Sequence, residues 1–240
     1  MDWNRLLSFN VKEAQVFLLI SLISAFVLSE YRYLGVKELD YVHAANTFFV
    51  NLVVFSILYL IMLMVQKIVA GVKGYSHTFE VWQFGPPSGL LITIMSYGII
   101  PFIYLGNIVL KPIKRLRLGY FERSTNIKDL ALMGLLGPVT LVLIVFLIFE
   151  PLYFLTQLYI FERFIIVASY IILFSSLPLP YTNAVNVLVY SRFLWFFLLL
   201  FGLLSVFLIN VAGLYSYVVG LGLAIFGAYV LKVYAQEKFF

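Results

Sequence analysis

The sequence is poor in the residues on which most catalytic and metal chemistry depends. It contains no cysteine and only two histidines in 240 residues. The absence of cysteine excludes disulfide bonds and thiolate metal sites. Charged residues make up 11% of the chain, whereas a soluble domain carries about 25%. These shortages exclude an ordinary soluble domain and leave few candidates for a metal site.

Long runs without a charged residue dominate the chain. They cover 14–29, 41–66, 130–149, 164–191 and 193–231. A helix needs about 20 apolar residues to cross a bilayer, so the last run is long enough for two crossings that divide near 210–213. We therefore predict an all-α polytopic membrane protein, one membrane domain over 1–240 with six transmembrane helices. The predicted spans are 14–30, 46–66, 129–149, 160–178, 191–210 and 213–232.

The distribution of basic residues gives this topology an orientation. Of the 16 Lys and Arg residues, all but Arg32, Lys37 and Arg163 lie on the side that holds both termini. Because cytoplasmic loops carry the excess of basic residues, both termini are predicted to be cytoplasmic. The net charge of +5 then reflects these loops and not a nucleic-acid partner. The protein is expected in the plasma membrane, with the lipid bilayer as its surroundings.

A cytoplasmic-side insertion, 67–128, follows the second span. His77–Phe84 alternates and is rich in β-formers, which predicts a short strand. The apolar stretch Gly89–Leu110 is interrupted by glycine and proline, and we expect it to dip into the membrane or to lie on it. The basic and aromatic segment 111–123 favours either a second strand or a surface that faces anionic lipid. The insertion is thus a small β and membrane-associated element.

The spans lack the side chains that known intramembrane proteases use. Zinc enzymes need His or carboxylate ligands, and aspartyl enzymes need paired carboxylates. His43 and His77 are predicted to lie at opposite ends of the second span, too far apart to share a metal, with His77 in a solvated loop. Glu150 and Glu162 are predicted at outer helix ends. No metal, no cofactor and no enzymatic activity are therefore expected.

Four stretches, in order, resemble one family. They are Met62–Lys67 (MLMVQK), Lys67–Leu91, Leu135–Thr140 (LLGPVT) and Phe174–Ala184 (FSSLPLPYTNA). Over roughly 45–200 the chain resembles the site-2 proteases, which are intramembrane zinc metalloproteases. The corresponding family patterns are HExxH, the segment that follows it, AGPxxN and FNxxPxPxLDG. The resemblance implies a six-span core with a membrane-associated insertion.

The chain departs from the family at the functional positions. Met62 and Gln66 stand where the two His ligands belong, Leu63 where the catalytic Glu belongs, and Asn183 where the Asp ligand belongs. Leu141 and Ser175 stand in place of the two accessory Asn residues. The resemblance therefore implies a protease fold without its zinc ligands. The competing interpretation is a generic six-span protein in which the LPLP segment simply ends a helix.

The remaining polar residues suggest a binding site. Gln66, Asn183 and Asn186 are predicted to lie close together and to bond the second span to the fourth, because buried amides in a membrane need partners. Phe79 and Trp82, in or beside the predicted strand, are further candidates, since a sheet edge can accept an extended partner by strand addition.

These observations lead to several functional hypotheses. The first is a catalytically inactive, site-2-protease-like protein that binds or regulates a transmembrane helix client. The alternatives are a structural subunit of a larger membrane complex and a zinc metalloprotease with unusual ligands. A transporter is disfavoured because ionisable residues are missing from the spans. Gly220, Ala224 and Ala228 recur every four residues, which predicts close helix packing within the protomer or in a homo-oligomer.

Overall fold

A computed structural model describes residues 10–30, 41–112, 125–212 and 216–239. Within these ranges the chain is mainly helical, with a two-stranded sheet after the second helix. In chain order the elements are α1 Val11–Glu30, α2 Tyr41–Val72, β1 Tyr75–Glu80, α3 Gly85–Met95, β2 Asn107–Pro112, α4 Ile127–Ile144, α5 Glu150–Thr156, α6 Tyr159–Ser176, α7 Ala184–Tyr190, α8 Arg192–Ala212 and α9 Ser216–Phe239.

Five helices in the described part of the chain are long and apolar enough to cross a membrane, which makes this an integral, multi-pass membrane protein. Their bounds are Val11–Ser29, Tyr41–Val72, Ile127–Thr156, Tyr159–Ser176 and Arg192–Ile209. They correspond to the first five predicted spans. The predicted sixth span matches a shorter apolar helix, Tyr217–Val233, and residues 213–215 of that prediction lie outside the described residues.

Two spans are longer than predicted. α2 continues to Val72, and α4 continues through a π-helical turn, Val145–Phe149, into α5. Charge marked the predicted ends, but a helix can continue past a charged residue that finds a partner. Pro151 has no N–H for the carbonyl one turn back, and the wider π turn directly precedes the α5 turn that contains it. Glu150 therefore lies within a continuous helix and is buried, not at a solvated helix end.

The helices pack in a simple order. α1 lies against α2, while α4 and α6 pack on α2 and on each other. α8 packs on α6, and α9 lies against α8. Glycines allow α8 to approach α6 and α9 to approach α8 closely. A Cβ at Gly202 would lie 2.8 Å from Leu173 Cα, and a Cβ at Gly227 would lie 2.6 Å from Leu200 Cδ2.

The insertion begins with an antiparallel pair of strands. β1 and β2 pair from Tyr75 opposite Pro112 to Glu80 opposite Asn107. The predicted strand is thus present but ends earlier, and it includes His77, which is half-buried and not in a solvated loop. β2 begins inside the stretch predicted to be wholly membrane-associated. Most of the segment 111–123 lies outside the described residues.

α3 and the turn after it account for the first half of that apolar stretch. Pro86 and Pro87 occupy the first turn of α3, where a missing N–H costs no hydrogen bond. The turn at the end of α3 exposes large apolar side chains. They include Met95, Tyr97, Ile99 and Ile100. An apolar tip of this kind agrees with a membrane-associated element.

The returning chain then runs back along α2. The Tyr59 hydroxyl accepts a hydrogen bond from the Gly106 N–H at 2.9 Å. Tyr59 is 13 residues before Val72, which is about 20 Å of helical rise. The insertion therefore folds back beside the span, and backbone at such depth must be covered by protein or line a cavity.

Candidate functional site

Met62, Gln66, Ser175 and Asn183 line one small cavity. It has a volume of about 20 Å³. The lining residues come from α2, α4, the end of α6, the loop before α7 and the chain before β2. They are Met62, Gln66, Leu105, Gly106, Gly134, Pro138, Ser175, Thr182 and Asn183. Three stretches that are far apart in sequence, around residues 62–66, 134–138 and 175–183, therefore form one site.

Gln66 supplies the best defined polar contact in this site. Its side chain is buried, and Nε2 donates to the Met133 carbonyl oxygen at 2.8 Å. Gln66 and Asn183 line the same cavity, as predicted. The predicted bond toward the fourth span is wrong, because the Gln66 amide joins α2 to α4 instead. The sequence pattern did not indicate that the α4 backbone lies within hydrogen-bond distance of Gln66.

Two glycines explain why α4 approaches so closely. A Cβ at Gly137 would lie 2.8 Å from Gln66 Nε2 and 3.1 Å from Met62 Sδ. A Cβ at Gly134 would lie 2.6 Å from the Asn183 carbonyl oxygen. Side chains at these positions would push α4 away from α2 on one face and from the α7 entrance on the other. The glycines thus set the small size of the cavity.

The loop between α6 and α7 forms one wall of the cavity. Thr182 Oγ1 donates to the carbonyl oxygens of Leu177 and Leu179, at 3.0 and 2.8 Å, and accepts from the Leu179 N–H at 3.1 Å. Pro178 and Pro180 lack the N–H groups that would continue the helix. Tyr181 turns the chain with a φ of 59°. This local network presents Asn183 to the cavity.

The other predicted site residues have different surroundings. Asn186 does not line the cavity, and its Nδ2 lies 3.5 Å from Asn183 Oδ1. Leu63 and Leu141 are fully buried among apolar side chains. Phe79 is also buried, and its ring packs edge-on against Tyr59, 6.1 Å between centroids. As the protein stands, Leu63, Leu141 and Phe79 belong to the core.

Trp82 packs on the segment that contributes Leu105 and Gly106 to the cavity lining. Its ring centroid lies 6.0 Å from that of Tyr104, and the Tyr104 hydroxyl donates to the Pro180 carbonyl. Burial raises the pKa of the Tyr104 phenol to about 12, and the neighbouring Tyr181 adds to the shift. Tyr104 is therefore a neutral hydrogen-bond donor at physiological pH. The contact ties the insertion to the loop before α7.

A buried ion pair near the cavity was not predicted. Lys67 Nζ lies 2.7 Å from Glu13 Oε2, and the Lys67 side chain is fully buried. Glu13 Oε1 also accepts the Phe79 N–H at 2.8 Å. The distribution of basic residues predicted Lys67 on the side of the termini, and it made no prediction for Glu13. The available signal was a pair of opposite charges, one before the first predicted span and one after the second, since antiparallel neighbours bring these ends together.

The chemistry of this cavity is that of neutral polar groups. Its lining offers amides from Gln66 and Asn183, hydroxyls from Ser175 and Thr182, and a thioether from Met62. Amides and hydroxyls can donate and accept hydrogen bonds, but an amide is a poor zinc ligand. Among the residues that the structure describes, no three His, Cys, Asp or Glu side chains form a group that could hold a metal ion.

Comparisons with known proteins add no relative to this picture. No family model, no curated protein and no solved structure matches the chain.

Proposed function

We propose that this protein is a catalytically inactive, site-2-protease-like membrane protein that binds or regulates transmembrane partner proteins. In this proposal the chain crosses the plasma membrane six times, with Tyr217–Val233 in the last crossing and both termini in the cytoplasm. The resemblance in sequence motifs provides the family, and the loss of His, Glu and Asp at the motif positions provides the inactivity.

One observation carries the proposal. Met62, Gln66 and Asn183, at the three positions where the family has its zinc ligands, line a single cavity. Met62 and Gln66 lie one turn apart on α2 and share a face in any fold, so the informative contact is that of this face with Asn183, which comes from a distant part of the chain. Pro138, from the third motif, and Ser175, from the fourth, line the same cavity. This convergence supports an alignment with the family that was made from sequence patterns alone.

The chemistry of the lining supports binding over catalysis. Hydrolysis by a metalloprotease requires a metal that activates water and a general base. The groups around this cavity are uncharged, and they suit hydrogen bonds to the backbone of a partner segment. Binding is thereby inferred from a site and not from fold alone.

Zinc analysis and site-directed crosslinking together test this proposal. The protein is prepared with zinc offered throughout, and its metal content is measured by mass spectrometry. We expect no stoichiometric zinc. One zinc per chain, lost on Gln66→Leu or Asn183→Leu, would contradict the proposal and support a protease with unusual ligands.

The binding part needs a positional readout. A photoreactive benzoylphenylalanine replaces Leu105 at the cavity, and a control replaces Ile225, which is exposed on α9. We expect a discrete adduct with a transmembrane polypeptide, mapped by peptide sequencing, from position 105 and not from position 225. Adducts with lipid only at both positions would overturn the binding role. The same polypeptide at both positions in fixed stoichiometry would favour a structural subunit.

A further inference from the structure

One wall of the cavity is formed by a short segment that has no regular secondary structure. We call Pro101–Gly106 the strap, because it runs without helix or strand pairing between the α3 turn and β2. Leu105 and Gly106 of the strap line the cavity. The volume of about 20 Å³ suffices for one water molecule but not for a side chain or a peptide. A larger group can enter only if a wall of the cavity moves, and the strap is one of these walls.

Neutral contacts hold the strap in place. The Phe102 N–H donates to Thr93 Oγ1 at 3.0 Å, and the Phe102 ring packs edge-on against Phe174, 5.1 Å between centroids. The Tyr104 hydroxyl donates to Pro180, and Gly106 is bonded to Tyr59. Each such bond contributes about 1 kcal/mol net. Ile103, Tyr104 and Leu105 are also almost fully buried, so the strap can open only when its anchoring contacts are weakened.

A charged contact fixes the base of the strap. Gly106 lies directly against the Phe79 ring, since a Cβ on Gly106 would come within 2.6 Å of it. The Phe79 N–H is in turn held at 2.8 Å by the Glu13 carboxylate, which Lys67 pairs with at 2.7 Å. One carboxylate on α1 thus holds β1, and β1 holds the end of the strap.

We propose that the bond from the Phe79 N–H to the Glu13 carboxylate is a latch that keeps the strap closed over the cavity, so that displacement of α1 opens the site. This proposal rests on the proposed function in one respect, namely that a partner segment enters the open cavity. The opening of the strap does not require a partner. In this proposal α1 controls access to the cavity, although no residue of α1 lines it.

The absence of cysteine makes a clean accessibility experiment feasible. Ser175→Cys places a thiol at the cavity, and the substitution is mild because Ser175 Oγ donates to the Ile172 carbonyl oxygen of its own helix and joins no other element through that bond. The rate of modification by N-ethylmaleimide is measured in detergent micelles. Thr156→Cys, at the exposed end of α5, reports the reactivity of an open thiol in each background. We expect Ser175→Cys alone to react far more slowly than Thr156→Cys.

Two double variants, each made in the Ser175→Cys background, separate the latch from the ion pair. Glu13→Leu with Lys67→Leu removes the acceptor without leaving a buried charge, and such replacements are often tolerated. Glu13→Gln with Lys67→Leu also removes both charges but keeps an acceptor for the Phe79 N–H. In the first variant we expect the thiol at position 175 to be modified on the order of ten-fold faster, because the equilibrium between closed and open strap shifts toward the open form. In the second variant we expect the rate to change little.

If the thiol at position 175 is modified slowly in both double variants, with Thr156→Cys unchanged, the latch is overturned. Fast modification of this thiol in both double variants also overturns the latch. Rapid modification of Ser175→Cys in the parent overturns the closed strap. Because the probe is a small reagent, none of these results depends on a partner. Failure of the crosslinking experiment with a working latch would count against the proposed function alone.

Discussion

Gln66 Nε2 lies 2.8 Å from the Met133 carbonyl oxygen, so a buried amide on α2 is satisfied by the backbone of α4. An unpaired amide in a membrane interior is costly, whereas an interhelical hydrogen bond of this kind contributes on the order of 1 kcal/mol. The contact joins two spans beside the cavity.

Gln66→Leu is expected to lower the free energy of unfolding by about 1 kcal/mol, because it removes this bond at nearly constant volume. Unfolding by dodecyl sulfate in mixed micelles, followed by tryptophan fluorescence, measures the loss. Met64→Leu on the same helix is the control, since Met64 does not line the cavity, and it should leave the free energy nearly unchanged. Equal effects of the two substitutions would contradict the assigned contact.

Gly134→Ala is expected to destabilise the protein by roughly 1–3 kcal/mol, as other overpacked sites are. The added methyl group would lie 2.6 Å from the Asn183 carbonyl oxygen, which belongs to the backbone and cannot simply rotate away. Gly222→Ala provides a matched control, because a Cβ there meets nothing within 4 Å. Thermal unfolding of the two variants should therefore differ clearly, with Gly222→Ala at or above the parent.

Glu13→Ala is expected to cost roughly 3–5 kcal/mol, since it leaves the fully buried Lys67 without its carboxylate. Glu80→Ala breaks a comparable pair with Lys111, 3.2 Å apart, but both side chains are about half exposed. Exposed pairs contribute about 0–1 kcal/mol, so this control should be nearly neutral. Yield of folded protein and dodecyl sulfate unfolding report both effects. A neutral effect of Glu13→Ala would contradict the burial of this pair within the protein.

Ala224→Phe is expected to disrupt the α8–α9 pair without changing the oligomeric state. Ala224 is fully buried, and Gly220 lies in van der Waals contact with α8. Gly220 and Ala224 therefore pack within the protomer. The measurement combines unfolding with light scattering after size-exclusion chromatography. A shift from dimer to monomer with unchanged stability would instead place this face in a homo-oligomer, and Gly222→Phe controls for added bulk.

Much of the helical architecture could be predicted because charge and hydropathy are local properties. The first five spans follow from uncharged runs, and the strand after α2 follows from alternation. The span ends were less accurate. Lys67 marked an apparent end of α2, but the helix continues to Val72 because Glu13 neutralises the buried ammonium. A local pattern does not contain that partner, 54 residues earlier.

The candidate site was predictable in part because sequence motifs, like charge and hydropathy, are local properties of the chain. Family-like motifs selected Met62, Gln66 and Asn183, and these residues do share a cavity. The partner of Gln66 was missed because it is a backbone carbonyl, which no side-chain pattern identifies. Asn186 and Phe79 were selected from spacing and strand composition, but they bond locally or pack in the core.

The sequence by itself determined that this is a membrane-embedded helical protein, since 63% hydrophobic residues in long uncharged runs allow little else. It also determined which chemistry is lacking at the motif positions, because side-chain identity needs no fold. The tertiary structure alone decided that Leu105 and Gly106 line the cavity and that Glu13 accepts a hydrogen bond from the Phe79 N–H of β1. Those contacts join segments dozens of residues apart, and their geometry depends on how the helices pack.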